Sequence, residues 1–251
     1  MSFMYANHAS SFGRTLVRGF SYAGYQLRRR DRAADIFPTD RASGAVEGPN
    51  PYRVVVIGEA TAMGYGVLTH ELGLACQFAR QLASRTGRGS LWSANAMPDN
   101  LIRNAPELVA ELDGELSAAE IVIVLGGIAD TLSLTTCASW RRQLSATLDG
   151  ILESRPPGAL VLVPEIPPLS RAGAIPAVIR RASSHQAHLL NQVTAEVVAS
   201  RPGCQVVSFP LHLDNQLWRA ETRPPAYRAM YAAWAAAILE VALGPTAVSA
   251  H

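Results

Sequence analysis

The sequence predicts a three-layer α/β/α sandwich with a central parallel sheet, and two observations carry that prediction. Short runs of β-branched and aliphatic residues have the length and composition of strands buried on both faces. Amphipathic stretches of helical length separate them, as in a parallel sheet covered by helices. The predicted strands are 53–57, 121–125, 159–163 and 205–209, and the predicted helices are 68–85, 140–154, 182–200 and 226–243.

Each predicted element is justified by its own residues. The run Arg53–Ile57 (RVVVI) ends in Gly58, and Ile121–Leu125 (IVIVL) ends in a glycine pair, which suits parallel strands that stop at a turn. The first long helix places Leu72, Ala75, Ala79 and Leu82 on one face. The last helix is rich in alanine, a strong helix former.

The first 50 residues differ from the rest and suggest a division of the chain. We predict a basic amphipathic helical segment over 1–37, a linker over 38–51, the α/β domain over 52–245 and a tail over 246–251. Within 11–30 the apolar residues recur at helical spacing, and arginines close the stretch: Phe12, Leu16, Phe20, Ala23, Leu27, then Arg28, Arg29 and Arg30. This helix either packs on its own domain or binds an anionic membrane surface or another protein.

Composition excludes several classes of protein. With 49% apolar and 17% charged residues and a net charge of +2, the chain is neither disordered nor built for nucleic acid. All basic side chains are arginines, so no lysine can serve a P-loop or a Schiff base, and the bias is typical of a GC-rich, actinobacterial genome.

No cofactor or metal site is expected from the sequence. The three cysteines, Cys76, Cys137 and Cys204, lie too far apart to pair as zinc ligands. The sequence shows no membrane span and no secretory signal. We therefore expect a cytoplasmic protein that reaches a membrane only peripherally, through residues 11–30.

Four blocks, in order along 52–243, give the chain a resemblance to a known family. They are Val55–Val67 (VVIGEATAMGYGV), Val124–Asp130 (VLGGIAD), Pro164–Leu169 (PEIPPL) and Leu217–Pro225 (LWRAETRPP). The first resembles the GDS-x-x-x-G-x-G block of SGNH/GDSL hydrolases, and the second resembles their GxND block. The third is similar to a substrate-side loop, and the fourth stands where the family has DxxHP. The resemblance, closest to actinobacterial members, implies a flavodoxin-like fold and a serine esterase or lipase.

The same resemblance implies that the reactive side chains are missing. Family members use a serine nucleophile, a histidine base oriented by an aspartate, and an oxyanion hole that includes a glycine amide and an asparagine side chain. In this chain the corresponding positions hold Ala60, Arg223, Ala220, Asn95 and Ala129. The resemblance therefore implies a protein without ester hydrolysis that serves as a binding, regulatory or assembly subunit. The alternative is an active esterase or lipase with a rearranged site.

Several residues remain candidates for a rearranged or ligand-binding site. Thr61 carries a hydroxyl one residue after the nucleophile position, and Glu59 and Asp130 could act as an acid/base pair or cap backbone amides. His212 with Asp214, and more weakly His70, His185 and His188, are candidate bases. Arg223 is expected either to pair with Glu59, Asp130 or Glu221, or to hold a small acyl or anionic ligand.

Overall fold

Six strands form one sheet at the centre of the molecule. The computed structural model describes residues 36–170, 177–213 and 224–244. The strands are β1 (Ser43–Val46), β2 (Tyr52–Gly58), β3 (Ser90–Ala96), β4 (Ile121–Leu125), β5 (Leu160–Pro164) and β6 (Cys204–Val207). They lie in the order β1-β3-β2-β4-β5-β6, and all neighbours pair in parallel except β1 with β3.

Helices cover both faces of this sheet. Within the described ranges they are α1 (Leu74–Thr86), α2 (Ala105–Glu111), α3 (Asp113–Leu116), α4 (Ile128–Leu132), α5 (Cys137–Ser154), α6 (Ala177–Ala199) and α7 (Pro224–Leu243). The alternation of β2 shows the layering, because Val54 and Val56 pack with α1 and α7. Val55 and Ile57 face the opposite core, built with α2, α5 and α6. The predicted three-layer α/β/α architecture is confirmed.

The predicted linker over 38–51 is wrong for part of its length. Residues 43–46 form β1, an antiparallel edge strand that pairs with β3 from Ser43 opposite Ser93 to Val46 opposite Ser90. The composition is linker-like partly because the strand requires a glycine at position 44. A Cβ added at Gly44 would lie 2.9 Å from Cζ2 of Trp92, so the indole ring occupies the space that a side chain would need. The domain therefore begins before residue 52.

Two further differences concern elements that hydrophobic runs did not reveal. β3 (Ser90–Ala96) was not predicted, since serines, alanines and one asparagine interrupt its apolar pattern. The first long helix begins at Leu74 rather than at 68, because a separate helical turn at His70–Leu72 ends at Gly73. Among the helices of the described ranges, none combines the length and apolarity that crossing a membrane requires.

Candidate functional site

The ends of β2 and β4 meet at the centre of the carboxyl edge of the sheet. Gly58 pairs with Leu125, and the N–H of Glu59 donates to the carbonyl of Leu125 (3.0 Å). A Cβ at Gly58 would lie 2.3 Å from that carbonyl, so this close approach requires a glycine. The chain then turns at once, with the N–H of Ala62 donating to the carbonyl of Glu59 (2.8 Å). Ligands of parallel α/β sheets bind at this edge.

Glu59 turns its carboxylate onto the first turn of α4. It is 6% exposed, and its Oε1 and Oε2 accept the backbone N–H groups of Ile128 (2.8 Å) and Ala129 (3.1 Å). The first N–H groups of a helix have no partner within the helix, so the carboxylate satisfies two of them. Glu59 thus ties the loop after β2 to the helix after β4.

Asp130, in α4, is a second buried carboxylate, and it accepts hydrogen bonds from two residues outside that helix. It is 2% exposed; Oδ2 accepts the N–H of Ile102 (2.9 Å) and Oδ1 accepts the hydroxyl of Thr135 (2.7 Å). Burial raises the pKa of Asp130, while the Ile102 N–H and the Thr135 hydroxyl lower it by smaller amounts. Both Glu59 and Asp130 therefore cap backbone amides, which was one of the two roles expected of them.

The positions that the family resemblance assigns to catalysis carry no reactive group in the described residues. Ala60 is half-buried in the turn, and its carbonyl accepts the N–H of Tyr65 (3.0 Å). Ala129 is 5% exposed in α4. Asn95 lies inside β3, paired with Ile57, and its amide donates to Ser93 Oγ (3.3 Å) and the carbonyl of Val56 (3.5 Å).

Three of the predicted site residues, Ala220, Glu221 and Arg223, lie outside the described residues, as do Asp214, most of the N-terminal segment 1–37 and the tail. The pairing or ligand role of Arg223 therefore stays a prediction.

A narrow cleft opens beside Glu59, with a free volume of about 10 Å³, room for roughly one water molecule. Its walls come from the ends of β2, β4 and β5 and from α4 and α7: Glu59, Thr61, Leu125, Gly126, Ile128, Pro164, Glu165, Pro167 and Trp234. Sequence reasoning found Thr61 and the block that contains Glu165. It missed Trp234, because a tryptophan on the buried face of a helix gives no signal beyond a packing residue.

Two cleft residues have distinct polar environments. Glu165 follows β5, and its Oε2 accepts the N–H of Phe209 (3.1 Å), which joins the ends of β5 and β6. Trp234 is 2% exposed, and its indole N–H has no acceptor within the part of the chain that the structure describes. Thr61, half-buried, also lines the cleft.

None of the candidate histidines lines this cleft. His185 and His188 are exposed on α6, and His212 is exposed in the turn after β6. His70 is buried; its Nδ1 lies 3.0 Å from Asp40 Oδ1, and its backbone N–H also donates to that oxygen (3.0 Å). This backbone hydrogen bond is the main reason why the pKa of Asp40 lies below its usual value. The structure thus brings none of these rings to Thr61.

The described residues contain no group of three or more histidine, cysteine or acidic side chains arranged to hold a metal ion. Cys76 is buried, Cys137 and Cys204 are partly buried, and all three are free thiols. Burial raises the pKa of the Cys76 and Cys204 thiols, which disfavours the thiolate.

Two solved structures with the same architecture are a lipase and an esterase. The chain superimposes on the lipase Lip_vut3 from a goat rumen metagenome with a TM-score of 0.54 and 13% identity, over 74% of this chain and 97% of the lipase. It superimposes on the psychrotrophic esterase EstA from a Pseudoalteromonas species with a TM-score of 0.53 and 13% identity, over 76% of this chain and 98% of the esterase.

A third solved structure also matches. A protein assigned to the G-D-S-L lipolytic family from Desulfitobacterium hafniense matches with a TM-score of 0.50 and 11% identity, over 74% of this chain and 98% of its own. No protein-family profile matches the chain, and no curated protein is similar to it in sequence. These three structures nevertheless align over nearly their whole lengths, 97% or 98% of each. The chain has an SGNH/GDSL hydrolase-like fold.

Proposed function

We propose that this chain is a hydrolase-like protein without ester-hydrolase activity, which acts as a binding, regulatory or assembly subunit. The observation that carries the proposal is the pair of hydrogen bonds from Ile128 and Ala129 to Glu59. They commit the carboxylate beside the former nucleophile position to holding two loops together. Alanine at position 60 supplies no hydroxyl to attack an ester.

The size of the rate losses expected when catalytic groups are missing supports this proposal. In a serine protease such as subtilisin, removing the nucleophile alone lowers kcat about a million-fold. Loss of one oxyanion donor costs a further factor of roughly 10²–10³ in an enzyme that uses that donor. Arginine, whose pKa exceeds about 12, cannot act as a base in place of histidine. These losses together would leave no measurable turnover.

A second candidate function, an esterase with a rearranged site, is favoured by one observation. Among the described residues that line the cleft, Thr61 alone carries a hydroxyl, and two carboxylates, Glu59 and Glu165, line the cleft with it. A carboxylate can activate a hydroxyl by accepting its proton. Against this, both carboxylates already accept backbone N–H groups. The cleft is also far smaller than the roughly 300–1,000 Å³ of typical ligand pockets.

The test is covalent labelling by a fluorophosphonate probe together with hydrolysis of nitrophenyl acetate and butyrate. We expect neither labelling nor turnover from the wild-type chain or from Ala60→Ser, since a serine there would lack an activating base. Thr61→Ala is the matched variant for the second candidate. Stoichiometric labelling of the wild type would contradict the proposal, and its loss in Thr61→Ala would make Thr61 the nucleophile.

A further inference from the structure

Three polar groups in the lining of the cleft beside Glu59 have hydrogen-bonding capacity that the described residues leave unused. Trp234 is 2% exposed, and its indole N–H donates to no acceptor in the described part of the chain. Glu165 uses Oε2 to accept the N–H of Phe209 (3.1 Å), and its Oε1 accepts no hydrogen bond from a described residue. The hydroxyl of Thr61 likewise has no partner among them. Buried polar groups are nearly always bonded to protein or water, so the indole requires an acceptor that these residues do not supply.

Packing holds the indole and the carboxylate in place. The ring of Phe209 contacts that of Trp234 edge to face, with the ring centroids 5.2 Å apart, and the N–H of Phe209 binds Glu165. The N–H of Glu165 donates to the carbonyl of Val207 (2.8 Å), which fixes the end of β5 beside β6. One residue, Phe209, therefore positions both groups, as a preformed site requires.

The size and charge of the cleft restrict what can occupy it. Its free volume of about 10 Å³ admits one oxygen atom with its hydrogens rather than a larger group. Glu59 and Glu165 both line it, and two carboxylates repel an anion. An ammonium ion has only donors, so it cannot accept the N–H of Trp234. An uncharged hydroxyl meets each requirement, since its oxygen accepts one hydrogen bond and its proton makes another.

We infer that this cleft holds one hydroxyl group: that of a water molecule in the unliganded protein, and that of an uncharged alcohol when a ligand binds. The oxygen accepts the indole N–H of Trp234 and donates its proton to Oε1 of Glu165, while the hydroxyl of Thr61 either donates or accepts. The rest of the alcohol lies outside the cleft, which has room for the hydroxyl alone. The ligand class named here rests on the binding role proposed above.

Occupation by water is tested by NMR on protein isotope-labelled at the indole nitrogens. We expect a cross-peak between the Trp234 indole proton and water, with the sign that marks a bound molecule. Trp140 is the matched control within the same chain, because its buried indole N–H donates to Thr194 Oγ1 (2.9 Å) and should show no such peak. The variants Trp234→Phe and Trp140→Phe assign the two signals.

The cross-peak should remain in Thr61→Val, which removes a hydroxyl that could relay the signal by proton exchange. Its absence from the wild type, or its loss in Thr61→Val, would overturn the inference.

Binding of an alcohol is tested by titrating the same sample with ethylene glycol, with sodium acetate as the anionic comparison. We expect ethylene glycol to shift the Trp234 indole signal to saturation and to leave that of Trp140 unchanged, and acetate to shift neither. In Glu165→Gln the amide oxygen can accept the N–H of Phe209, so the amide NH₂ group, a donor, faces the cleft in place of Oε1. Ethylene glycol should then bind about tenfold more weakly. Glu153→Gln, on the exposed surface of α5, is the control and should bind like wild type.

Melting temperatures measured on every variant separate a loss of binding from misfolding. Thr61→Val, which also removes a partner of the bound hydroxyl, should weaken binding as well and serves if Glu165→Gln does not fold. The inference fails if the wild type does not respond to ethylene glycol, if acetate shifts the Trp234 signal equally, or if the folded variants bind like wild type. None of these measurements depends on ester hydrolysis, so labelling by a fluorophosphonate would contradict the proposed function alone.

Discussion

At the scale of single residues, Glu59 has a structural role at the end of β2. Its carboxylate satisfies two backbone N–H groups that would otherwise be buried without partners. A buried polar group without a partner costs about 1–3 kcal/mol. This contact therefore stabilises the folded domain.

Replacing Glu59 should destabilise the domain. Glu59→Ala strands the N–H groups of Ile128 and Ala129, and we expect the free energy of unfolding to fall by about 2–4 kcal/mol. Glu59→Gln keeps one acceptor oxygen and should lose less. Urea denaturation measures both changes. Glu111→Gln, on the exposed surface of α2, is the control and should match wild type. A stable Glu59→Ala would show that these amides reach water.

Asp130 should couple stability to pH in the direction opposite to most carboxylates. Because its pKa in the folded chain is raised above 3.8, the folded state holds this proton more tightly than the unfolded state does. The resulting stability is present below the unfolded pKa and is lost as pH rises through the folded pKa. Asp130→Asn cannot titrate, and its amide can still serve Ile102 and Thr135.

The melting temperature of Asp130→Asn relative to wild type should therefore increase as the pH is raised from about 3.8 towards neutrality. Comparing the two proteins at each pH cancels the contributions of the other carboxylates. A constant difference between them across this range would mean that Asp130 titrates normally in the folded chain.

At the scale of elements, hydrophobic runs were sufficient to predict four of the six strands. β2 and β4 are buried along most of their length, and their β-branched residues show it. β1 and β3 could not be found in this way, because β1 is a short edge strand of small residues and β3 alternates buried with half-exposed positions. Both strands form by pairing with segments that are distant in the sequence. A single sequence does not show such pairing.

The same limit applies to the candidate site. The rule that ligands bind at strand ends led to Glu59, Thr61, Asp130 and the block with Glu165, because each follows a predicted strand. The partners of those side chains were not predictable. Glu59 reaches Ile128 because β2 and β4 are neighbours in the sheet. Trp234 belongs to α7 and lies more than 60 residues after Glu165 in the sequence, yet both line the cleft.

Substitutions in β1 test whether residues 43–46 pair as a strand or serve as a linker. Gly44→Val places a side chain where the Trp92 ring lies, and we expect a loss of about 1–3 kcal/mol from overpacking. Ala45→Val is the matched control, because Ala45 is exposed on the same strand and valine favours strands. Thermal denaturation of both variants gives the comparison. Equal melting temperatures would indicate that β1 does not hold its place against β3.

At the scale of the whole molecule, the N-terminal strap, residues 36–46, decides where the folded unit begins. It contains β1, which pairs with β3, and it contacts the loop after β2 and the side chain of His70. The folding unit therefore includes residues that composition alone would assign to a linker. Trp92 is only 5% exposed beside this edge strand. Without β1, the edge of β3 would present unpaired N–H and C=O groups next to an apolar surface.

Two truncations test this boundary. The chain from residue 36 keeps the strap and should melt close to the full-length protein, because none of the described hydrogen bonds of the strap is removed. The chain from residue 47 loses β1 and the Asp40–His70 contact. We expect it to melt at least several degrees lower and to aggregate on concentration, since an uncovered edge strand pairs with other chains. Differential scanning calorimetry and light scattering measure the two effects. If both truncated chains melted alike and stayed monomeric, residues 36–46 would be a linker after all, and the folding unit would begin at β2.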